Sequence, residues 1–323
     1  AYSDSTTENY VEQNRIEMKL DIPNELIKGQ VKVIKVDKDN NEVKLEGVKF
    51  NVLDKNGKVL ETITTDKNGE ATSSKYPIRD FRKLTLQEAS TLKEYKLNDK
   101  KQTITFTEEE IKNIKFENEL KKAKIHVIKS DTDTKVRLQN VEFDVIDNTT
   151  KEIVDHIITN KKGEATTKDL RIDHTYTLKE TKTNKFYKLN NDEIIVDLTK
   201  YIDNYKDNIV ENVDITNEKM KGQVEIIKTD GETTYPLKDV TFEVYDEKGK
   251  VVDTLVTDDE GKATSKKLPI DQKYTVKETI TNKGYILNEI PQTIELKEDE
   301  ISTLKFENNK GKDWCDLVDY NQF

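Results

Sequence analysis

The chain says nearly the same thing three times, and the length of each statement fixes what it can be. The first copy runs GQVKVIKVD, VKFNVLDKNGKVLETITTDKNGEATS, KLTLQEAS, EYKLN and IKFENEL. The second runs AKIHVIKSD, VEFDVIDNTTKEIVDHIITNKKGEATT, TYTLKET, FYKLN and VDITNEK. The third runs GQVEIIKTD, VTFEVYDEKGKVVDTLVTDDEGKATS, KYTVKET, GYILN and LKFENNK. Repeats that stack into solenoids or propellers recur every 20–50 residues. Here the period is about 95 residues, so each copy is expected to be a whole domain with its own core.

Within a copy, short β-branched segments alternate apolar and polar residues, the pattern of half-buried strands. They are separated by turn signals such as Asn56-Gly57, Asn68-Gly69 and Lys248-Gly249. Many short strands without helical periodicity predict a β-sandwich. Composition decides between folded modules and a disordered chain. Charged residues make up 37% and hydrophobic ones 33%, but the apolar residues keep strand phase, which fits thin, well-solvated domains. The connections, NELKKAK and NEKMKGQ, are short and poor in Gly and Ser, which predicts a stiff, monomeric rod. The net charge of −10 argues against a nucleic-acid partner, which calls for a basic stripe. No apolar run approaches the 18 residues of a membrane-spanning helix. With a single cysteine, Cys315, the staple that small cores usually need cannot be an internal disulfide.

Three polar residues per copy keep step with the core. Residues two apart on a strand face the same way. Val31-Val33-Lys35, Ile125-Val127-Lys129 and Val224-Ile226-Lys228 therefore put a lysine on the apolar face. Leu84-Leu86-Glu88, Tyr176-Leu178-Glu180 and Tyr274-Val276-Glu278 do the same for a glutamate. Ile114-Phe116-Asn118, Val213-Ile215-Asn217 and Leu304-Phe306-Asn308 do so for an asparagine. Lys and Glu are rarely buried unless paired. Burial favours the neutral amine and the protonated acid, and a neutral lysine is a nucleophile. Lysine Nζ can attack the asparagine Cγ while the glutamate polarises the carbonyl and moves protons. Ammonia leaves and an amide bond remains. Two plainer readings stand beside this one: a buried Lys–Glu ion pair with Asn as a bystander, and strand-end side chains that reach out to solvent.

The residues resemble the Cna B-type, or SpaA-like, repeat domains of Gram-positive surface adhesins and pilins. The matching features are the leading VxVxK strand, the T(D/N)xxGxAT turn, the (L/V)xE strand followed by (E/F/G)Y, and the closing xN strand; together they cover residues 29–310. The resemblance implies tandem prealbumin-like Greek-key β-sandwich domains at 29–120, 121–220 and 221–311. It also implies an intramolecular Lys–Asn isopeptide bond in each, made with the help of a catalytic acid. Carried over by position, the cross-links are Lys35–Asn118, Lys129–Asn217 and Lys228–Asn308, with Glu88, Glu180 and Glu278 as the acids. The second copy departs from the pattern: Glu180 and Asn217 lie 37 residues apart, against 30 in the other two. The extra residues fall in TKYIDNYKDNIVENVD, which marks that site as the one expected to be least regular.

Such bonds would join the first strand of each domain to its last, so that tension passes through a covalent amide. The function expected is a structural stalk on the surface of a Gram-positive bacterium, secreted and cell-wall anchored. It would present an adhesive domain to a host matrix or cell-surface ligand, with both that domain and the sorting signal lying outside this sequence. The rival reading is a module that binds a collagen- or fibronectin-like matrix protein directly. No enzyme acting on an external substrate is expected, since phosphate-binding glycine loops, Ser/His/Asp arrangements and HExxH are all missing. No cofactor or metal is expected either. His126, His156 and His174 lack metal-ligand spacing, and clusters such as Asp131-Asp133 and Asp258-Asp259-Glu260 read as solvated turns. Residues 1–28 read as a leader or as the last strand of an upstream domain. In the second case Asn24, aligned with Asn118, is that domain's acceptor. The tail from 312 to 323, which ends DWCDLVDYNQF, breaks the repeat and reads as an appended tag or a docking peptide.

Overall fold

The computed structural model describes residues 25–311; Asn24 and the tail from Lys312 onward lie outside the described residues. The first copy contains β1 (Lys28–Asp37), β2 (Lys49–Leu53), β3 (Val59–Thr64), β4 (Glu70–Thr72), β5 (Tyr76–Pro77), β6 (Lys83–Ser90), β7 (Gln102–Thr105) and β8 (Glu110–Asn118). The second contains β9 (Lys122–Asp131), β10 (Glu142–Asp147), β11 (Ile153–Ile158), β12 (Glu164–Thr166), β13 (Leu170–Arg171), β14 (Thr175–Lys182), β15 (Ile194–Asp197) and β16 (Ile209–Asn217). The third contains β17 (Lys221–Asp230), β18 (Thr241–Tyr245), β19 (Val251–Val256), β20 (Lys262–Thr264), β21 (Leu268–Pro269), β22 (Lys273–Ile280), β23 (Gln292–Glu295) and β24 (Ile301–Asn308). Contacts divide the chain into two compact units between Lys121 and Lys122, the first copy forming one unit and the second and third the other.

Each copy is two four-stranded sheets face to face. In the first, β3-β2-β6-β7 is wholly antiparallel, while β1 pairs antiparallel with β4 and β5 and parallel with β8. The parallel pairing follows from topology: opening and closing strands enter the sheet from the same end, with Lys35 beside Phe116 and Asp37 beside Asn118. The other two copies repeat it, Lys129 beside Ile215 and Lys228 beside Phe306. The period-2 pattern is realised as written. Val31, Val33 and Lys35 of β1 are buried while Lys32 and Ile34 are half-buried. The first core gathers Val31, Val33, Phe50, Val52, Leu84, Leu86 and Phe116 between the sheets.

The GxAT turn grips the opening strand. Gly69 has φ +70°, and a Cβ there would stand 2.4 Å from the Lys35 carbonyl oxygen. Gly163 and Gly261 share that φ and stand equally close to the Lys129 and Lys228 carbonyls. The Lys35 N–H in turn donates to the Gly69 carbonyl at 2.7 Å. A side chain would both strain the backbone and push the lysine's strand away, so glycine is required here to set the lysine.

Candidate cross-link sites

Lysine and asparagine come from neighbouring parallel strands of one sheet, and the glutamate reaches across from the other. On β6, Glu88 stands opposite Phe50 of β2, next to a break in register between Lys49 and Phe50; Glu180 and Glu278 repeat this opposite Phe143 and Phe242. All nine side chains are buried. The three lysines are 0% exposed and none of the nine exceeds 5%. The structure therefore brings together, in three separate places, the three residues that strand phase singled out.

At the first site Lys35 Nζ donates to Asn118 Oδ1 at 2.5 Å and lies 2.8 Å from Glu88 Oε2. Asn118 Nδ2 donates to Glu88 Oε1 and to Thr91 Oγ1, each at 2.7 Å. The second site matches it: Lys129 Nζ to Asn217 Oδ1 at 2.5 Å and to Glu180 Oε2 at 2.8 Å, Asn217 Nδ2 to Glu180 Oε1 at 2.6 Å and to Thr183 Oγ1 at 2.7 Å. At the third, Asn308 Nδ2 donates to Glu278 Oε1 and Thr281 Oγ1, each at 2.6 Å, and Lys228 Nζ lies 3.0 Å from Glu278 Oε2. There the lysine makes no hydrogen bond to the asparagine, and Asn308 Oδ1 is buried without a partner among the described residues.

Burial pushes all three lysines below their ordinary value of 10.5, against the opposing pull of the neighbouring glutamates. Desolvation penalises the ammonium, so each amine is held closer to its nucleophilic neutral form. An aromatic floor supports two of them, with Lys35 Nζ 5.9 Å from the Phe50 ring centroid and Lys129 Nζ 5.7 Å from that of Phe143.

In one respect the geometry differs from the expected chemistry. The glutamate was expected to polarise the asparagine carbonyl, yet at every site its two oxygens face the lysine amine and the asparagine Nδ2. The reason is local: Nδ2 has two hydrogens, one taken by the glutamate and the other by the threonine, which turns Oδ1 away from the acid. The carboxylate thus bridges the lysine amine and the asparagine Nδ2.

Strand phase also missed several residues. Thr91, Thr183 and Thr281 stand three positions after each glutamate, a recurrence visible in the sequence but out of period-2 step. Asn98 and Asn190, the last residues of EYKLN and FYKLN, direct their backbone N–H at Glu88 Oε1 (3.3 Å) and Glu180 Oε1 (3.2 Å). Their side chains, and that of Asn288, donate to carbonyls of the closing strand. The tyrosine of the same motif donates to a buried aspartate two residues past the lysine: Tyr95 to Asp37, Tyr187 to Asp131 and Tyr285 to Asp230, at 2.8–2.9 Å. Asp131 is thus not a solvated turn residue. It is buried, and its other oxygen accepts the backbone N–H groups of Asp133 and Thr134. Asp258 does cap an exposed turn, accepting from the N–H groups of Glu260 and Lys262.

Of the histidines, half-buried His126 bonds Thr166, exposed His156 bonds Asp144, and half-buried His174 lies against Asp147 at 2.6 Å. No group of His, Cys, Asp and Glu able to hold a metal occurs among the described residues, and no helix among them is long and apolar enough to cross a membrane.

Three stretches of the chain, 29–120, 123–219 and 222–310, match the SpaA prealbumin-like fold domain. The chain belongs to that family. Among solved structures, the Bacillus anthracis TIE protein resembles this chain with a TM-score of 0.70 and 27% identity, over 88% of this chain and 51% of that one. The chain thus spans about half the length of that relative. BcpA, the major pilin subunit of Bacillus cereus, is a more distant likeness, with 15% identity and a TM-score of 0.42 over 88% of this chain and all of that one. GBS52, the minor pilin of Streptococcus agalactiae, is a further likeness, with 19% identity and a TM-score of 0.29 over 59% of this chain and 97% of that one. No curated protein matches the chain. Three SpaA-type domains in tandem give it a pilin-type, structural build.

Proposed function

We propose that each SpaA-type domain closes its own Lys–Asn amide bond, and that the linked chain bears load as a stalk in a Gram-positive surface protein. The observation that carries this reading is the burial of an amine at 2.5 Å from an asparagine carboxamide oxygen, on the strands by which the chain enters and leaves the domain. Burying a lysine and a glutamate as an unreacted ion pair is costly, and the amide bond would relieve that cost.

The chemistry balances on the residues present. Lys35 begins as an ammonium beside the Glu88 carboxylate and passes a proton to Oε2. The neutral Nζ attacks Asn118 Cγ. Glu88 returns the proton to Nδ2 and takes a second one from Nζ as the Cγ–Nδ2 bond breaks. Nδ2 leaves as ammonia and carries that second proton out as ammonium. The new Nζ–Cγ amide remains, with the carboxylate regenerated. Glu180 and Glu278 act alike on their pairs.

Each bond closes a loop of 80 to 88 residues, Lys228 to Asn308 being the shortest and Lys129 to Asn217 the longest. By the chain-entropy estimate for cross-links, each contributes about 4–5 kcal/mol. Force applied along the chain meets the amide before the sheet can unzip, and the bond is indifferent to redox state. Attachment to a cell wall and the presentation of a distal adhesive domain complete the reading. They are tested by labelling the full-length surface protein on intact cells and by asking whether host-matrix binding maps outside residues 29–310. Binding that maps within those residues would replace the stalk role with a direct adhesive one.

A further inference from the structure

We propose that Thr91, Thr183 and Thr281 are positioning residues for cross-link formation, holding the asparagine's leaving nitrogen against the glutamate. This rests on the cross-linking role proposed above and names a further participant in it. A carboxamide can turn by half a turn with little change in shape, and only its hydrogen bonds distinguish the two orientations. In the productive orientation Nδ2 lies against the glutamate, which must protonate it. In the reversed one Oδ1 faces the carboxylate, a repulsive contact between acceptors, and Nδ2 faces the amine, which cannot protonate it and act as nucleophile at once. The glutamate alone holds only one of the two Nδ2 hydrogens.

The threonine holds the other. Its Oγ1 takes the second Nδ2 hydrogen at 2.7, 2.7 and 2.6 Å in the three copies. With both hydrogens held, the leaving nitrogen is aimed at the acid before the lysine loses its proton. The interaction is built the same way three times, on the residue just past the glutamate's strand, β6 ending at Ser90, β14 at Lys182 and β22 at Ile280. All three threonines are half-buried, so their stems are not core and the hydroxyl is the part that matters.

The test follows bond formation in the whole chain made by cell-free synthesis, which defines a starting time. Samples are quenched, digested and scored for the Lys35–Asn118 and Lys129–Asn217 linked peptides by mass spectrometry. In Thr91→Val the first link should form at least about tenfold more slowly, within the ~100-fold that misplacing a reacting group by about 1 Å costs. The second link, in the same molecules, should keep its wild-type rate. Thr91→Ser should restore the first link, and the midpoint of the rate against pH should not move in Thr91→Val, since the nucleophile and the acid are untouched. The inference is overturned if Thr91→Val links as fast as wild type, or if Thr91→Ser is as slow as Thr91→Val. If the wild-type chain yields no linked peptide at all, the cross-linking reading itself falls; that outcome is distinct from wild type and Thr91→Val linking alike.

Discussion

The second and third copies make an instructive pair, because spacing and geometry rank them in opposite orders. By interval, the second copy is the outlier, with seven more residues between its glutamate and its asparagine than the third. By geometry, it is the second site that reproduces the first atom for atom, while in the third Lys228 Nζ fails to meet Asn308 Oδ1. The extra residues explain why the interval misleads. They lie between β15 and β16, around a short 3-10 turn at Thr199–Tyr201. Asn217 stands at the far end of β16, nine residues on from Asn208, and the parallel pairing with β9 is unbroken from Ile209 to Asn217. An insertion at the opposite end of a strand leaves the site alone. The third site differs through something closer: Asn98 and Asn190 hold their glutamates by a backbone N–H, and no such hydrogen bond joins Asn288 to Glu278 among the described residues. Where the loop holds the acid, the amine and the carbonyl meet.

The largest effect should come from removing the acid. Glu88→Ala takes away the proposed proton relay and leaves Lys35 buried without its ion-pair partner. The first domain should remain unlinked and lose the cross-link's contribution of about 4–5 kcal/mol, a large part of the ~5–15 kcal/mol typical of a domain. Differential scanning calorimetry and peptide mapping read both. A linked first domain in that variant would remove Glu88 from the mechanism.

The next effect sharpens the contrast between sites. In a time course the third link should lag the first and second by about tenfold, as expected when reacting groups must first move into place. Each site starts with one proton shared by its lysine and glutamate, and that proton is the one delivered to Nδ2, so all three rates should fall once the pH is high enough to remove it. Desolvation lowers the lysine pKa values, so the fall should set in at a pH below 10.5, the ordinary lysine value. Equal rates at the three sites would erase the comparison.

Smaller again is the cost of disturbing the lysine's backbone. Gly69→Ala meets both a positive φ and the Lys35 carbonyl and should destabilise the first domain by about 1–3 kcal/mol, read by urea unfolding. Gly57→Ala, also at positive φ but with open space around it, should cost less. The smallest effect should come from shortening 198–208 of the second copy to the length of the first copy's loop. Tyr201, Ile202 and Tyr205 pack on the core, so stability falls, but the yield of the Lys129–Asn217 link should not change. A lost link would show that the insertion does shape the site.

Those contrasts also mark what the sequence made legible. Strand phase is a two-residue rule, so it found every residue on the long regular strands that carry the lysines, glutamates and asparagines. The sandwich and its threefold repetition followed from the same alternation. What it could not see sits on turns, where phase is undefined. Thr91 comes after β6 has ended, Asn98 acts through its backbone, and Asp131 looks like any acidic turn residue until Tyr187 is folded onto it. Parallel pairing of first and last strands, which brings Lys35 to Asn118, is a long-range event with no local signature. Spacing pointed to the second site as irregular because a residue count does not say at which end of a strand an insertion falls.

Intact-mass measurement of the purified chain, followed by peptide mapping, tests the central claim most directly. The expected mass is lower than that of the unmodified sequence by three ammonias, with Lys35 joined to Asn118, Lys129 to Asn217 and Lys228 to Asn308. A mass equal to that of the unmodified sequence, with all six residues recovered in unlinked peptides, would contradict it.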